Sequence, residues 1–152
     1  MLTRKWLMAL SVLCVTAAAA AADAVPLDAL RTKFPHGIPW NVAVINPDGK
    51  RRGELEILIT LERARSCMGE VGEGFRVDFI RPGVLWPPLP IASYGIATFI
   101  GDKIKIDLTG GTCDAYLMMD GVVTPDGSSS GVIYTFGPGG EHNVGTYRAI
   151  TM

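Results

Sequence analysis

An all-β fold of eight antiparallel strands, closed as a barrel or folded as a barrel-like sandwich, is what this sequence predicts. Three observations lead there. From Trp40 onward apolar residues recur at every second position and not every 3.6. Short turns rich in Gly, Pro and Asp separate the runs at hairpin length. No segment between them reads as a helix long enough for a crossover, so sequential strands should pair antiparallel.

The first residues read as an export signal. Arg4 and Lys5 form a positive start, Trp6–Val15 is an apolar run of about ten residues, and Ala17–Ala22 supply the small side chains that signal peptidase requires. Such a run is too short for a bilayer core of about 30 Å. Cys14 follows Leu13, which is not the small residue a lipoprotein signal places before its Cys. The expectation is a signal peptide over 1–22, a leader over 23–36 and one β-barrel domain over 37–152, with no membrane attachment after cleavage. Without Arg4 and Lys5, twelve Lys and Arg face fifteen Asp and Glu, a net charge of −3. The densest basic cluster, Lys50-Arg51-Arg52, sits in a turn, so no basic stripe for nucleic acid exists.

Taken in order, the leader's Leu27, Leu30 and Phe34 suit one or two helical turns, too few for an independent helix. Trp40–Ile45 reads as a first strand, and "NPDGKR" after it as a turn. In Glu54–Glu62, Leu55, Ile57, Ile59 and Leu61 alternate with polar residues, which predicts one core face and one wet face. Phe75, Val77 and Phe79 continue the alternation, and Tyr94–Ile100 ends at the tight turn "GDK". Ile104, Ile106 and Leu108 alternate with Lys103, Lys105 and Asp107. Cys113–Val123 follows, with a bulge expected at Gly121. Val132–Phe136 and Val144–Thr151 complete eight, with "PDGSSSG" and "GPGGEHN" read as loops.

The exception is residues 81–93, "RPGVLWPPLPIAS", a long Pro-rich connection without ladder donors. It bears on the cysteines. Export leaves Cys67 and Cys113, which an oxidising compartment pairs. A bridge across 46 residues stabilises by about 4 kcal/mol in the chain-entropy model. Neither CxxC nor HxxxH occurs, and His36 and His142 lie in Gly- and Pro-rich settings away from a thiol, so no metal site, cofactor or Cys nucleophile is read. In a plain meander the two cysteines open from opposite ends, about 30 Å apart for strands of about nine residues. A bridge needs Cα atoms within about 7 Å. The expectation is therefore conditional: if they pair, the chain changes ends once, through 81–93.

Candidate sites are few. Asp107 is read as a solvated carboxylate beside lysines, and Asp120 as a turn-capping one. Asp114 beside Tyr116 would orient a ligand if it faced inward, with its carboxyl pushed up. Trp86 among prolines is a lid or an anchor. Tyr94, Tyr116 and Tyr147 are candidate lumen-lining residues of a ligand carrier. An enzyme would need Asp114 or His142 beside a nucleophile, and no such constellation is visible.

Two resemblances follow from specific residues. The early "GIPW", Gly37–Trp40, and the late "TYRA" with Arg148 resemble the calycins, the lipocalin and avidin group. There a Gly-x-Trp opens the first strand and an Arg of the last strand packs over that Trp. The resemblance implies a ligand cavity and a barrel-closing pair Trp40–Arg148, with one residue more between Gly37 and Trp40 than the motif has. "SSSGVIYTFG" resembles the inhibitory loop of periplasmic C-type lysozyme inhibitors, at Ser128, Ser130, Gly131 and Tyr134. Ile133 stands where that family has a basic residue. "SCMG" and "CDAYLMM" are similar to small exported proteins of Gram-negative bacteria. The expectation is a periplasmic or secreted, non-enzymatic binding module that holds a small apolar ligand in the barrel or a protein partner on its loops. Inhibition of a lysozyme-like hydrolase through residues 126–134 is an alternative, as is a small enzyme.

Overall fold

The structure is a computed structural model and describes residues 27–64, 74–81, 93–110 and 116–152. It is a closed barrel of eight antiparallel strands, each bonded to its sequence neighbours, with the last returning to the first. The strands are β1 (Ile38–Ile45), β2 (Arg51–Ala64), β3 (Gly74–Arg81), β4 (Gly95–Ile100), β5 (Lys103–Asp107), β6 (Tyr116–Val123), β7 (Ser129–Gly137) and β8 (Gly140–Thr151). One helix, α1 (Leu27–Lys33), precedes them.

Closure rests on β1 and β8. Trp40 lies opposite Thr151 and Ile45 opposite Thr146, so six successive pairs seal the sheet and leave no edge to pair with another chain. Alternation then sorts the side chains. Ile38, Trp40, Val42 and Val44 of β1 are buried while their neighbours are only partly covered, and Leu55, Ile57 and Ile59 repeat this on β2. One continuous apolar core results, joined at the barrel's end by Leu30 of α1.

Four expectations change here. β3 and β4 are bonded neighbours, so residues 82–92 join adjacent strands and the chain does not change ends among the described strands. Ala64 and Gly74, which flank Cys67, are at the α1 end. Gly110 and Tyr116, which flank Cys113, are at the other. Cys67 and Cys113 lie outside the described residues, as do Trp86 and Asp114.

Gly121 is no bulge. Its strand keeps unbroken register with both neighbours, and Gly121 lies opposite Gly131. The reason for glycine is close approach: a Cβ at Gly121 would stand 2.3 Å from the Tyr147 hydroxyl and from the Ser130 carbonyl oxygen. The "SSSG" stretch is strand from Ser129 on, and "GEHN" is the start of β8, because both pair across the β7–β8 hairpin. Residues 27–33 of the expected leader, finally, form α1 against the core. Seven residues cannot hold a helix alone, and Leu30, 2% exposed, supplies the tertiary burial that does.

Replacing Gly121 by Ala is expected to destabilise the fold by about 2 kcal/mol, the order of overpacking in a filled core. Urea unfolding of the variant checks this; an unchanged midpoint would show that the Tyr147 ring has room to move.

Candidate functional site

Function can reside in three places in a barrel: its lumen, its ends and its outer wall. The lumen comes first because the resemblance to calycins placed a ligand there. It is full. Trp40, Tyr147, Leu55, Ile57, Ile104, Ile106 and Leu117 are among the large side chains with essentially no exposure. Eight strands leave an interior just wide enough for side chains to fill, and here they fill it.

Tyr147 is a buried phenol inside. Its parity on β8 directs it inward across Gly121 and Gly131, which face it in one row of the sheet. Its hydroxyl lies 2.9 Å from Ser129 Oγ, also buried. A phenol in a core needs such a partner. Burial, partly offset by the Ser129 bond, pushes the Tyr147 hydroxyl up to about 12. Ser129 had no role in the sequence reading, where it was one of three serines of a loop.

The other lumen candidates point elsewhere. Tyr116 shares its parity with Met118, whose cross-strand partner Tyr134 faces outward with it. The Tyr116 ring packs on Phe136 at 6.3 Å on the outer wall. Tyr94, one position before the inward Gly95, lies 5.2 Å beneath the Arg76 guanidinium, again outside. That guanidinium bonds Asp78 at 2.6 Å, which raises its pKa further.

Nor do Trp40 and Arg148 pair. Arg148 is opposite Ala43, one parity step from the inward row that holds Trp40, and is exposed. The Trp40 indole instead donates to the Gly127 carbonyl at 2.8 Å. The barrel's α1 end is closed by this turn and by α1, not by the last strand's arginine. Gly127 takes φ +91°, and a Cβ there would be 2.7 Å from the Phe34 ring, so only glycine fits under the helix.

The turn itself is compact. Asp126 Oδ1 accepts from the Ser128 amide at 3.0 Å and from Thr124 Oγ1, and Oδ2 from Ser128 Oγ. These bonds, Thr124's first, hold the Asp126 carboxyl down to about 2. Lys33 of α1 donates to the Asp126 carbonyl at 2.6 Å. Of the inhibitor-like residues, Ser128 is thus bound within a turn, while Ser130, Gly131 and Tyr134 are strand; they do not form one projecting loop.

The α1 end also holds the barrel's apolar crevice, lined by Leu27, Arg31, Phe34, Ile38, Ile59, Thr60, Phe75 and Phe99. It spans about 240 Å³ counting its open mouth. Phe75 and Phe99 meet edge to face at 6.0 Å in its wall. Two guanidiniums stack on Phe75, Arg31 of α1 at 5.2 Å and Arg63 of β2 at 4.7 Å.

The outer wall is unusual on β4–β7. Ile100, Val122, Val132 and Phe136 are exposed by 69, 44, 45 and 44%. Register joins them: Lys103 links Ile100 to Val122, and Asp120, opposite Lys105, links to Val132. The neighbouring outward positions Ile96, Asp107 and Met118 are buried. Asp107 is accordingly not the solvated carboxylate its lysine neighbours suggested. Its Oδ1 accepts from the Thr109 amide at 2.8 Å and from Thr109 Oγ1, and its Oδ2 has no hydrogen-bond partner among the described residues. Asp120 is mid-strand, not a cap. His142 is exposed on β8, and no cluster among the described residues could hold a metal ion.

Comparison with protein-family models, with curated proteins and with solved structures finds no match to this chain.

Two titrations follow. Because the Tyr147 hydroxyl is raised in the fold, its contribution is complete below pH 10 and is lost as pH climbs toward 12, by about 2–3 kcal/mol in all. Urea midpoints across that range should fall in the parent chain and stay flatter in Tyr147→Phe. Asp126 has the opposite sign: lowered from 3.8 to about 2, it stabilises above pH 4 and loses that between about 4 and 2. Asp126→Asn should therefore unfold earlier than the parent at pH 7 and match it at pH 2.

Proposed function

We propose that this chain is an exported, non-enzymatic binding module whose partner is a protein met on the outer wall of β4–β7, and not a small molecule in the lumen. The observation that carries this is the packed interior. An apolar ligand inside would have to displace Trp40, Tyr147 or several Ile side chains, each firmly held. Binding then falls to the outside, and the wall offers Ile100, Val122, Val132 and Phe136 beside Lys103, Lys105 and Asp120. Exposed apolar side chains adjoining one another and rimmed by charge are what a protein interface uses. Export is read from the first 22 residues.

The barrel supplies rigidity for such a face. Strand side chains held in register on a closed sheet present a preorganised surface, which lowers the ordering cost of association. An acyl-transfer or acid–base site would need a base beside a nucleophile. The Ser129 and Tyr147 hydroxyls are both buried and bond each other at 2.9 Å.

A photo-crosslinking side chain placed at Val132, in the exporting host, is expected to trap one discrete protein, while the same group at Glu56, on the opposite wall, traps none. Equal labelling from both positions, or none from Val132, would contradict the assignment of the face.

A further inference from the structure

We propose that the partner of the β4–β7 wall is a second copy of this chain, joined about a two-fold axis that runs between β5 and β6 and along them. This rests on the reading of that wall as a protein interface and names what the wall meets.

The charges are the first ground. Lys105 of β5 and Asp120 of β6 lie opposite each other on the outer face. Among the described residues, however, no ion pair joins them, and none engages Lys103. The wall of β2 and β3 is different. There Arg51 meets Glu54, Arg81 bonds Glu56 at 3.1 Å and Arg76 bonds Asp78 at 2.6 Å, all within the chain. Neighbours of opposite sign that stay apart leave both charges to a surface carrying the same two in exchanged places. This wall, turned over, is such a surface.

The symmetry follows from the register. A face-to-face two-fold along the strands exchanges β5 with β6 and β4 with β7. Lys105 of each copy then faces Asp120 of the other, so one contact is made twice. An axis across the strands at that row would instead oppose like with like. Closure of the barrel removes the other route to a dimer: every strand edge is already bonded, so a second copy adds face on face and not edge to edge.

The apolar residues are the second ground. One row along, the same operation lays Lys103 over Val122, where its methylene stem covers the valine and its ammonium reaches water. On the flank, Ile100 of β4 comes over β7 beside Val132. A barrel wall is convex, so two of them touch first along β5 and β6 and part toward β4 and β7. The side chains on those flanks, Ile100 exposed by 69% and Phe136 by 44%, are long enough to fill the gap. A small, curved contact makes a weak dimer, and association in the micromolar range is expected.

Sedimentation equilibrium of the mature chain tests this. The parent is expected to dimerise, and added salt to weaken the dimer. Lys105→Glu alone and Asp120→Lys alone each set like charges opposite at both contacts, and each should dimerise at least about a hundredfold more weakly. Mixed in equal amounts, the two variants should recover the parent's dimer, since each supplies the charge the other lacks. A purely local effect between the strand neighbours within one chain is not restored by mixing. A photo-crosslinking side chain at Val132 of the purified chain should join two copies and land on β4 at Thr98. A parent that stays monomeric at several hundred micromolar, single variants that dimerise as the parent does, or a mixture that does not recover would each overturn the two-fold. If the parent is monomeric while Val132 in the exporting host traps a different protein, the second copy is overturned and the wall remains an interface. If Val132 traps nothing there, the wall itself is overturned. Should a single variant not fold, the parent's dimer and the landing site of the Val132 crosslink decide alone.

Discussion

The phenol of Tyr147 is the contact on which the inside of this barrel depends. Closing eight strands fixes an interior of given width, and something must fill it without leaving a polar atom dry. Tyr147 does so by crossing the two glycines of neighbouring strands, Gly121 and Gly131, and ending on Ser129. The glycines lose the packing and stiffness that a side chain would bring to a strand, which is a cost in isolation. Here they admit a ring instead, and the ring brings apolar area and a satisfied hydroxyl together.

From that filled interior the rest follows in order. With no room inside, Trp40 cannot serve a ligand; it joins the core and anchors the Thr124–Ser128 turn through Gly127. The turn, held in shape by Asp126, gives Lys33 a carbonyl to bind, and α1 settles over the barrel mouth on Leu30 and Phe34. The helix in turn brings Arg31 to Phe75, where Arg63 already lies. A short, weakly self-stable helix thus becomes a charged rim on an apolar opening. The other consequence is outward: apolar residues beyond what the core needs, Ile100, Val122, Val132 and Phe136, remain on the wall.

Most of the fold was legible, because period-two alternation and hairpin turns are local signals. All eight strands stand within a few residues of where the alternation put them, from Glu54–Glu62 inside β2 to Val144–Thr151 inside β8. What failed was decided across strands. Gly121 reads the same in sequence whether it marks a bulge or a close approach, and only Gly131 and Tyr147 opposite it tell the two apart. Asp107 alternates with lysines and so reads as wet, but its outward position is covered. The three tyrosines were grouped by type; parity sends Tyr147 in and Tyr116 out. Arg148 was placed by a motif, and register sets it one step off Trp40's face. The Arg31–Phe75–Arg63 stack joins residues 31, 63 and 75 and leaves no local trace; the only hint was that a leader with Leu27, Leu30 and Phe34 must bury those side chains somewhere.

The packed lumen can be tested without knowing any partner. Xenon enters dry apolar cavities and ignores filled ones. Under xenon pressure, the methyl resonances of Val42, Ile106 and Met119, all inside the barrel, are expected to stay unmoved in the mature chain. Tyr147→Val, which opens space at the centre, should show them shifting to saturation. Saturable shifts of those methyls in the parent chain would contradict a filled barrel, and would return the search for a ligand to the lumen.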